Sequence, residues 1–325
     1  MMAYILRRVL YAIPILIGVN LLTFALFFVV NKPDDMARVH LGVKHVTQEA
    51  IDKWKVERGY DKPLLYNSGA EGTAQLTDTI FYKKSLALFV FDFGRSDDGR
   101  DIGLEIRERM WPSLAIALPV LLIGLLTNIT FALLMAFFRA TYIDVGGVVL
   151  CVVLMSISGL FYIIGGQYLI SKLLHIVPVS GYDTGVQAFK FILLPVIIGI
   201  VSGIGSGSRW YRTIFLEEIG KDYVRTARAK GLSELRVLFY HVLKNAMIPI
   251  LTGVVVVLPL LFMGSLILES FFGIPGLGSY TIDAINSQDF AVVRAMVFLG
   301  SVLYIVGLVL TDISYTLVDP RVRLG

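Results

Sequence analysis

The sequence predicts an all-α membrane protein: six transmembrane helices with an extramembrane insert after the first. Hydrophobic residues make up 56% of the 325 residues and charged ones 17%, with a mean hydropathy of +0.75, far from the balance of a soluble chain of this length. Six apolar runs contain no Asp, Glu, Lys or Arg. A hydrocarbon core of about 30 Å needs roughly 20 apolar residues in a helix. A membrane barrel would instead show short alternating segments.

The first run, Val9–Val30, follows Arg7 and Arg8 as a secretory signal would. It is longer than a signal core and no small-residue cleavage pattern precedes Lys32, so 1–30 reads as a retained first span. The segment 31–110 combines the helix-compatible VTQEAIDKWKVERGY with FDFGRSDDGRDIG, which suggests a small folded cap of helices and turns and leaves a sheet open. Runs two to six are Trp111–Phe138, Val145–Ser171, Phe191–Ser208, Ala246–Leu268 and Ala295–Thr311. They make a five-helix core over 111–317, with a basic loop at 209–245 and a tail at 318–325. With six spans both termini lie on one side, whose short segments hold thirteen Lys/Arg (Arg7, Arg8, Arg139, eight from Arg209 to Lys244, and Arg321 and Arg323). The other side's short loops hold only Lys172, Lys190 and Arg294. The positive-inside rule therefore puts both termini in the cytoplasm and the insert outside.

Within the runs, Pro14, Pro119, Pro195 and Pro259 and the glycines Gly199, Gly203, Gly205 and Gly207 read as devices of close helix packing. Uncharged polar residues also recur: Asn20, Asn128, Thr130, Ser156, Ser158, Gln167, Tyr168, Thr252, Ser265 and Tyr304. Most are expected to bond between helices. Asn128, Ser156, Ser158, Gln167, Thr252 and Ser265 are candidates for lining a conduit for a polar, uncharged or zwitterionic solute. Glu269 and Asp312 stand at span ends, where water or headgroups are expected to reach them.

Several function classes lose support. Cys151 is the only cysteine, so neither an intrachain disulfide nor a cysteine metal cluster can form. His40, His45, His175 and His241 make no HExxH pair, and no GxxxxGK[ST] loop is present; Gly220-Lys221 is followed by Asp222. The net charge of +4 follows from topology and does not call for nucleic acid. The chain is expected to have no catalytic residue, to bind no metal or cofactor, and to meet lipid.

The stretch from Asp222 to Asn245 carries five Lys/Arg between apolar runs. Asp222 is expected to cap a helix over Tyr223–Lys230, Gly231 to close it in the left-handed conformation, and Ser233 to cap a second helix. The first would be about 12 Å long, with small Thr226, Ala227 and Ala229 rimmed by Arg225, Arg228 and Lys230. The second aligns Leu235, Leu238, Phe239 and Val242 in one apolar stripe. From the residues alone two readings stand together: a plug for a groove on another protein, or charge that orients the loop and touches anionic headgroups.

YVRTARAKGLSELRVLFYHVLKNAMIP resembles the cytoplasmic coupling loop of type I ABC import permeases of the dipeptide, oligopeptide and nickel class. ILRRVLYAIPILIGVNLLTF, FDFGRS, IRERMWPSLAIAL, VPVSGYD, FFGIPGLGSYTIDAINSQDFAVV and LVDPRVRL are similar to the first permease subunit of those systems, in matching order. Three places depart from the pattern: Arg225-Thr226-Ala227 stands where the wider superfamily has Glu-Ala-Ala, NKPDDMARVHLG lacks a Pro-Gly-Asp-Pro run, and SGLFYIIG replaces a turn containing Ser-Ile-Pro. The resemblance implies the type I permease fold in a bacterial cytoplasmic membrane. It also implies a paralogous second permease, two ATPase subunits that use ATP and Mg, and an extracytoplasmic solute-binding protein. On it, Asp222, Tyr223, Arg225, Thr226, Ala227, Arg228, Lys230 and Gly231 form the ATPase-coupling surface, and the cargo is a di- or oligopeptide or a related small polar solute. Nickel or a peptide conjugate is the alternative within the family. Ion-coupled carriage, and a scaffold or receptor whose insert binds a partner, are the alternatives outside it.

Overall fold

The structure, a computed structural model, describes the backbone of residues 2–42 and 46–318, and the side chains of residues 6–314 other than 9 and 43–45. His45 and the tail arginines Arg321 and Arg323 lie outside the described residues. The chain packs as two units, Met1–Arg109 with Tyr280–Val309 and Met110–Ser279 with Leu310–Gly325.

The first unit opens with α1, Met2–Phe24, which runs on as a π-helical segment over Ala25–Val30. The insert that follows is helical. α2 (Pro33–Leu41) starts on Pro33, Asp34 and Asp35, a proline and two acids at the end where free N–H groups and the positive dipole favour them. α3 (Gln48–Arg58) is capped by Thr47, whose hydroxyl oxygen accepts from the Ala50 N–H at 3.3 Å, and is closed by left-handed Gly59. Phe24, Phe28, Met36, Ile51, Trp54, Tyr60 and Ile80 form one buried core, so the cap folds against the end of α1. Among the described residues the insert has no strand, only an isolated bridge between Arg95 and Asp101.

α4 covers Ile102–Phe137, 36 residues that rise about 54 Å. It starts before the apolar run does, so the last part of 31–110 belongs to this helix. The third run differs from a single straight span. α5 (Tyr142–Ser156) and α6 (Gly159–Gly166, extended by a π segment to Leu173) meet at 86°. Ile157 and Ser158 take extended backbone angles, and Ser156 turns its hydroxyl back to the Val152 carbonyl at 2.8 Å. The break therefore forms without a proline.

α7 (Ala188–Ile219) continues well past Ser208, so Arg209, Arg212, Glu217 and Glu218 ride on a helix and the loop expected from 209 shortens to the residues after Ile219. α8 (Asp222–Ala229) and α9 (Glu234–Val237) follow. A π segment, Leu238–Leu243, then leads into α10, Lys244–Val257. After a 3-10 segment at Pro259–Met263 come α11 (Leu266–Phe272), α12 (Leu277–Ser287) and α13 (Phe290–Val318). Among the described residues five stretches are long and apolar enough to span a membrane, and the bent pair makes a sixth when counted as one span.

Close packing in the second unit uses some of the predicted glycines. A Cβ on Gly205 would stand 2.6 Å from the Cys151 carbonyl oxygen and one on Gly207 2.4 Å from the Asn128 amide, while Gly203 meets nothing within 4 Å. Cys151 itself is buried and free.

Candidate functional site

The basic stretch builds a short helix on a firm base. Lys221, with extended backbone, occupies the N-cap expected of Asp222, and the helix starts one residue earlier than expected, on Asp222, whose charge complements the helix dipole. Gly231 at φ 77 ends the helix as expected. Its N–H donates to the Arg228 carbonyl at 2.9 Å and that of Lys230 to the Thr226 carbonyl at 3.0 Å. Ser233 holds the next N-cap position without a side-chain cap bond.

Two residues of α8 face inward. Val224 and Ala227 are 0% and 4% exposed and join Phe215, Ile219, Val237, Leu238, Val242 and Ala246 in one core. Ala227 therefore belongs to the base and not to the small-residue face assigned to it. Arg228 reaches forward to grip both carboxylate oxygens of Glu234, at 2.8 and 3.1 Å. The Tyr223 hydroxyl donates to Glu218, a carboxylate that Lys221 also engages. Burial, and then the hydrogen bond to Glu218, push the Tyr223 phenol up to about 12, so it stays a donor at neutral pH. Asp222, Arg225, Thr226, Lys230 and Gly231 remain exposed. The eight predicted residues thus divide into five that face outward and three that hold the helix in place.

The apolar stripe also divides. Leu238 and Val242 are buried, whereas Leu235 and Phe239 are 58% and 52% exposed. Leu235 precedes the π segment, whereas Leu238, Phe239 and Val242 lie in it, where the wider turn departs from the spacing of a regular helix.

The polar residues of the spans do not converge on one lining. Asn128 accepts from Ser208 at 3.1 Å, and Thr252 and Ser156 return their hydroxyls to their own helices. Gln167 donates to the carbonyls of Val179 and Phe271, each at 3.1 Å, and Ser265 caps α11. Ser158 is exposed at the bend. Asn20 donates to the Ser85 carbonyl at 3.0 Å, which ties α1 to the insert.

Comparison with known proteins identifies the type of molecule this geometry belongs to. The family described as binding-protein-dependent transport system inner membrane component matches residues 128–324, more than half of the chain, and its N-terminal counterpart matches residues 1–69. The chain belongs to this family. A Brucella abortus protein with the provisional name of a peptide transport system permease is 34% identical over 329 residues, 99% of each chain. The oligopeptide transport system permease protein of Bacillus subtilis is 30% identical over 99% of this chain and all of its own. The dipeptide transport system permease protein of Escherichia coli is 28% identical over 99% of both. The chain is thus a multi-pass inner-membrane permease of the ABC importer type, with the all-α type I fold.

In this permease two carboxylates are buried whose burial the sequence did not reveal. Glu269 is 1% exposed, which corrects its expected contact with water or headgroups at a span end. Its carboxylate accepts from the backbone N–H groups of Ser265 at 3.1 Å, Gly278 at 2.7 Å and Ser279 at 3.1 Å, and the Ser113 hydroxyl is bonded to it. Ser113 in turn accepts from the Leu277 N–H at 2.8 Å. A Cβ on Gly276 would sit 2.2 Å from Glu269 Oε2, so the cradle depends on bare backbone. Asp144, 5% exposed, is gripped by Arg212 through two bonds of 2.8 and 2.7 Å that join α5 to α7. The available signal for Glu269 was an acid ending an apolar run, with glycines at 264, 276 and 278 around it. Asp144 also borders an apolar run, but nothing in the spacing pairs it with Arg212.

Proposed function

We propose that this permease forms half of the translocation pathway of an ATP-driven importer of di- or oligopeptides or related small polar solutes, and that α8 couples it to ATPase subunits. One observation carries the reading. α8 buries Val224 and Ala227 in a core shared with α7, α9 and α10 while leaving Asp222, Arg225, Thr226 and Lys230 outside. A force applied to that outer face reaches several spans together, because the inner face is packed and Arg228–Glu234 and Tyr223–Glu218 leave the helix little freedom to swing. A paralogous permease would supply the other half of the pathway. Two ATPases would use ATP and Mg, and an extracytoplasmic binding protein would deliver the solute. The cargo class is supported by what the relatives' names say of those proteins.

The bias of Lys and Arg supports cytoplasmic termini and coupling loop, with 31–110 outside and the core over 111–317. Asn128, Ser156, Ser158, Gln167, Thr252 and Ser265 are the proposed pathway residues, with Ser156 and Ser158 at the bend the most open of them. Stimulation of ATPase activity by the loaded binding protein, in the reconstituted complex, tests the coupling role. Arg225→Glu with Thr226→Trp, both on the exposed face, is expected to abolish stimulation or ATPase association without unfolding the permease. Intact assembly and full stimulation would remove α8 from the coupling role.

A further inference from the structure

Two adjoining cavities of the second unit match the two ends of an amphiphile. An apolar groove of about 710 Å³ runs along α4 from Leu126 to Phe137 and on to Phe138 in the turn, walled on the other side by Leu235 and Phe239. Both side chains are exposed. Over those positions α4 rises about 18 Å, close to the roughly 15 Å depth of one leaflet. Phe137 and Leu238 also line a second cavity of about 470 Å³, whose polar wall is Arg139, Arg228 and Glu234. Glu234 is taken by Arg228, while Arg139, exposed at the turn after α4, has no carboxylate partner among the described residues. A leaflet-deep apolar groove thus opens at one end on an uncompensated guanidinium.

We propose that these cavities hold one anionic phospholipid, with its phosphate on Arg139 beside Arg228 and an acyl chain along the α4 groove. The match of groove depth to leaflet depth selects an acyl chain, and the surplus positive charge selects an anionic headgroup over a zwitterionic one. Under the orientation proposed above the lipid comes from the cytoplasmic leaflet, though the site itself does not depend on that orientation. The headgroup lies against Arg228, which holds α8 to α9, so the lipid steadies the helix from below.

The test is native mass spectrometry of the assembled transporter released from membranes of equal phosphatidylcholine and phosphatidylglycerol. A photo-crosslinking aromatic residue replaces Phe239 in a parallel sample. One phosphatidylglycerol should persist per permease, weakened about fivefold by Arg139→Ala and lost when Thr130→Trp fills the groove. The probe at Phe239 should label lipid. Equal retention of both lipids, retention indifferent to both substitutions, or a crosslink to the second permease would each overturn the site. The headgroup competition and the crosslink decide the matter even when a variant fails to fold, and neither readout depends on ATPase coupling.

Discussion

Two left-handed glycines reverse the chain in the second unit, and the turns around them use charge in opposite ways. At Gly231, φ 77, a side chain would meet nothing within 4 Å, and the neighbouring Arg225 and Lys230 stand in solvent. At Gly273, φ 64, the chain enters a loop whose next glycines close on the buried carboxylate of Glu269. Exposed charges are screened and add little to folding. A buried carboxylate is tolerated only when its oxygens are matched with donors. The first turn is therefore free to present a surface, and the second locks a loop to two helices.

Substitutions sharpen that contrast. Glu269→Ala is expected to have the largest effect: it leaves the N–H groups of Ser265, Gly278 and Ser279 buried without an acceptor, at about 1–3 kcal/mol each before relaxation. Loss of monodisperse permease in size-exclusion chromatography is the readout, and a stable Glu269→Ala protein would break the comparison. Arg212→Ala, which strands Asp144, should follow at roughly 2–3 kcal/mol, the lower part of the usual cost because Arg212 is 23% exposed. Its thermal midpoint in detergent should fall accordingly. Gly231→Ala meets no clash but keeps a left-handed angle, which should cost roughly 1 kcal/mol in the same melting assay. Arg225→Glu should move the melting curve by no more than about 0.5 kcal/mol, yet weaken ATPase association.

Much of the helical plan was legible in the sequence. Charge-free runs placed spans one, two, four, five and six to within a few turns, and Gly231 marked the end of α8 because few other residues take φ 77 without strain. The candidate site was only partly legible. Nothing in the spacing of Ala227 says that it points into a core, since small residues suit both a buried contact and a docking face. The π segment at Leu238 has no sequence signature, and the stripe expected from a regular turn came out half exposed.

By itself the sequence determined the membrane class, the approximate spans and the basic loop, because apolar length and charge bias act locally along the chain. The tertiary structure alone decided the 86° bend at Ile157–Ser158, the inward and outward halves of α8, and the burial of Glu269 and Asp144. Those outcomes depend on donors and packing partners far away in the chain: Ser113 lies in α4 while Glu269 lies in α11, and Asp144 finds Arg212 a helix away. A buried charge becomes acceptable only when folding brings such partners within bonding distance.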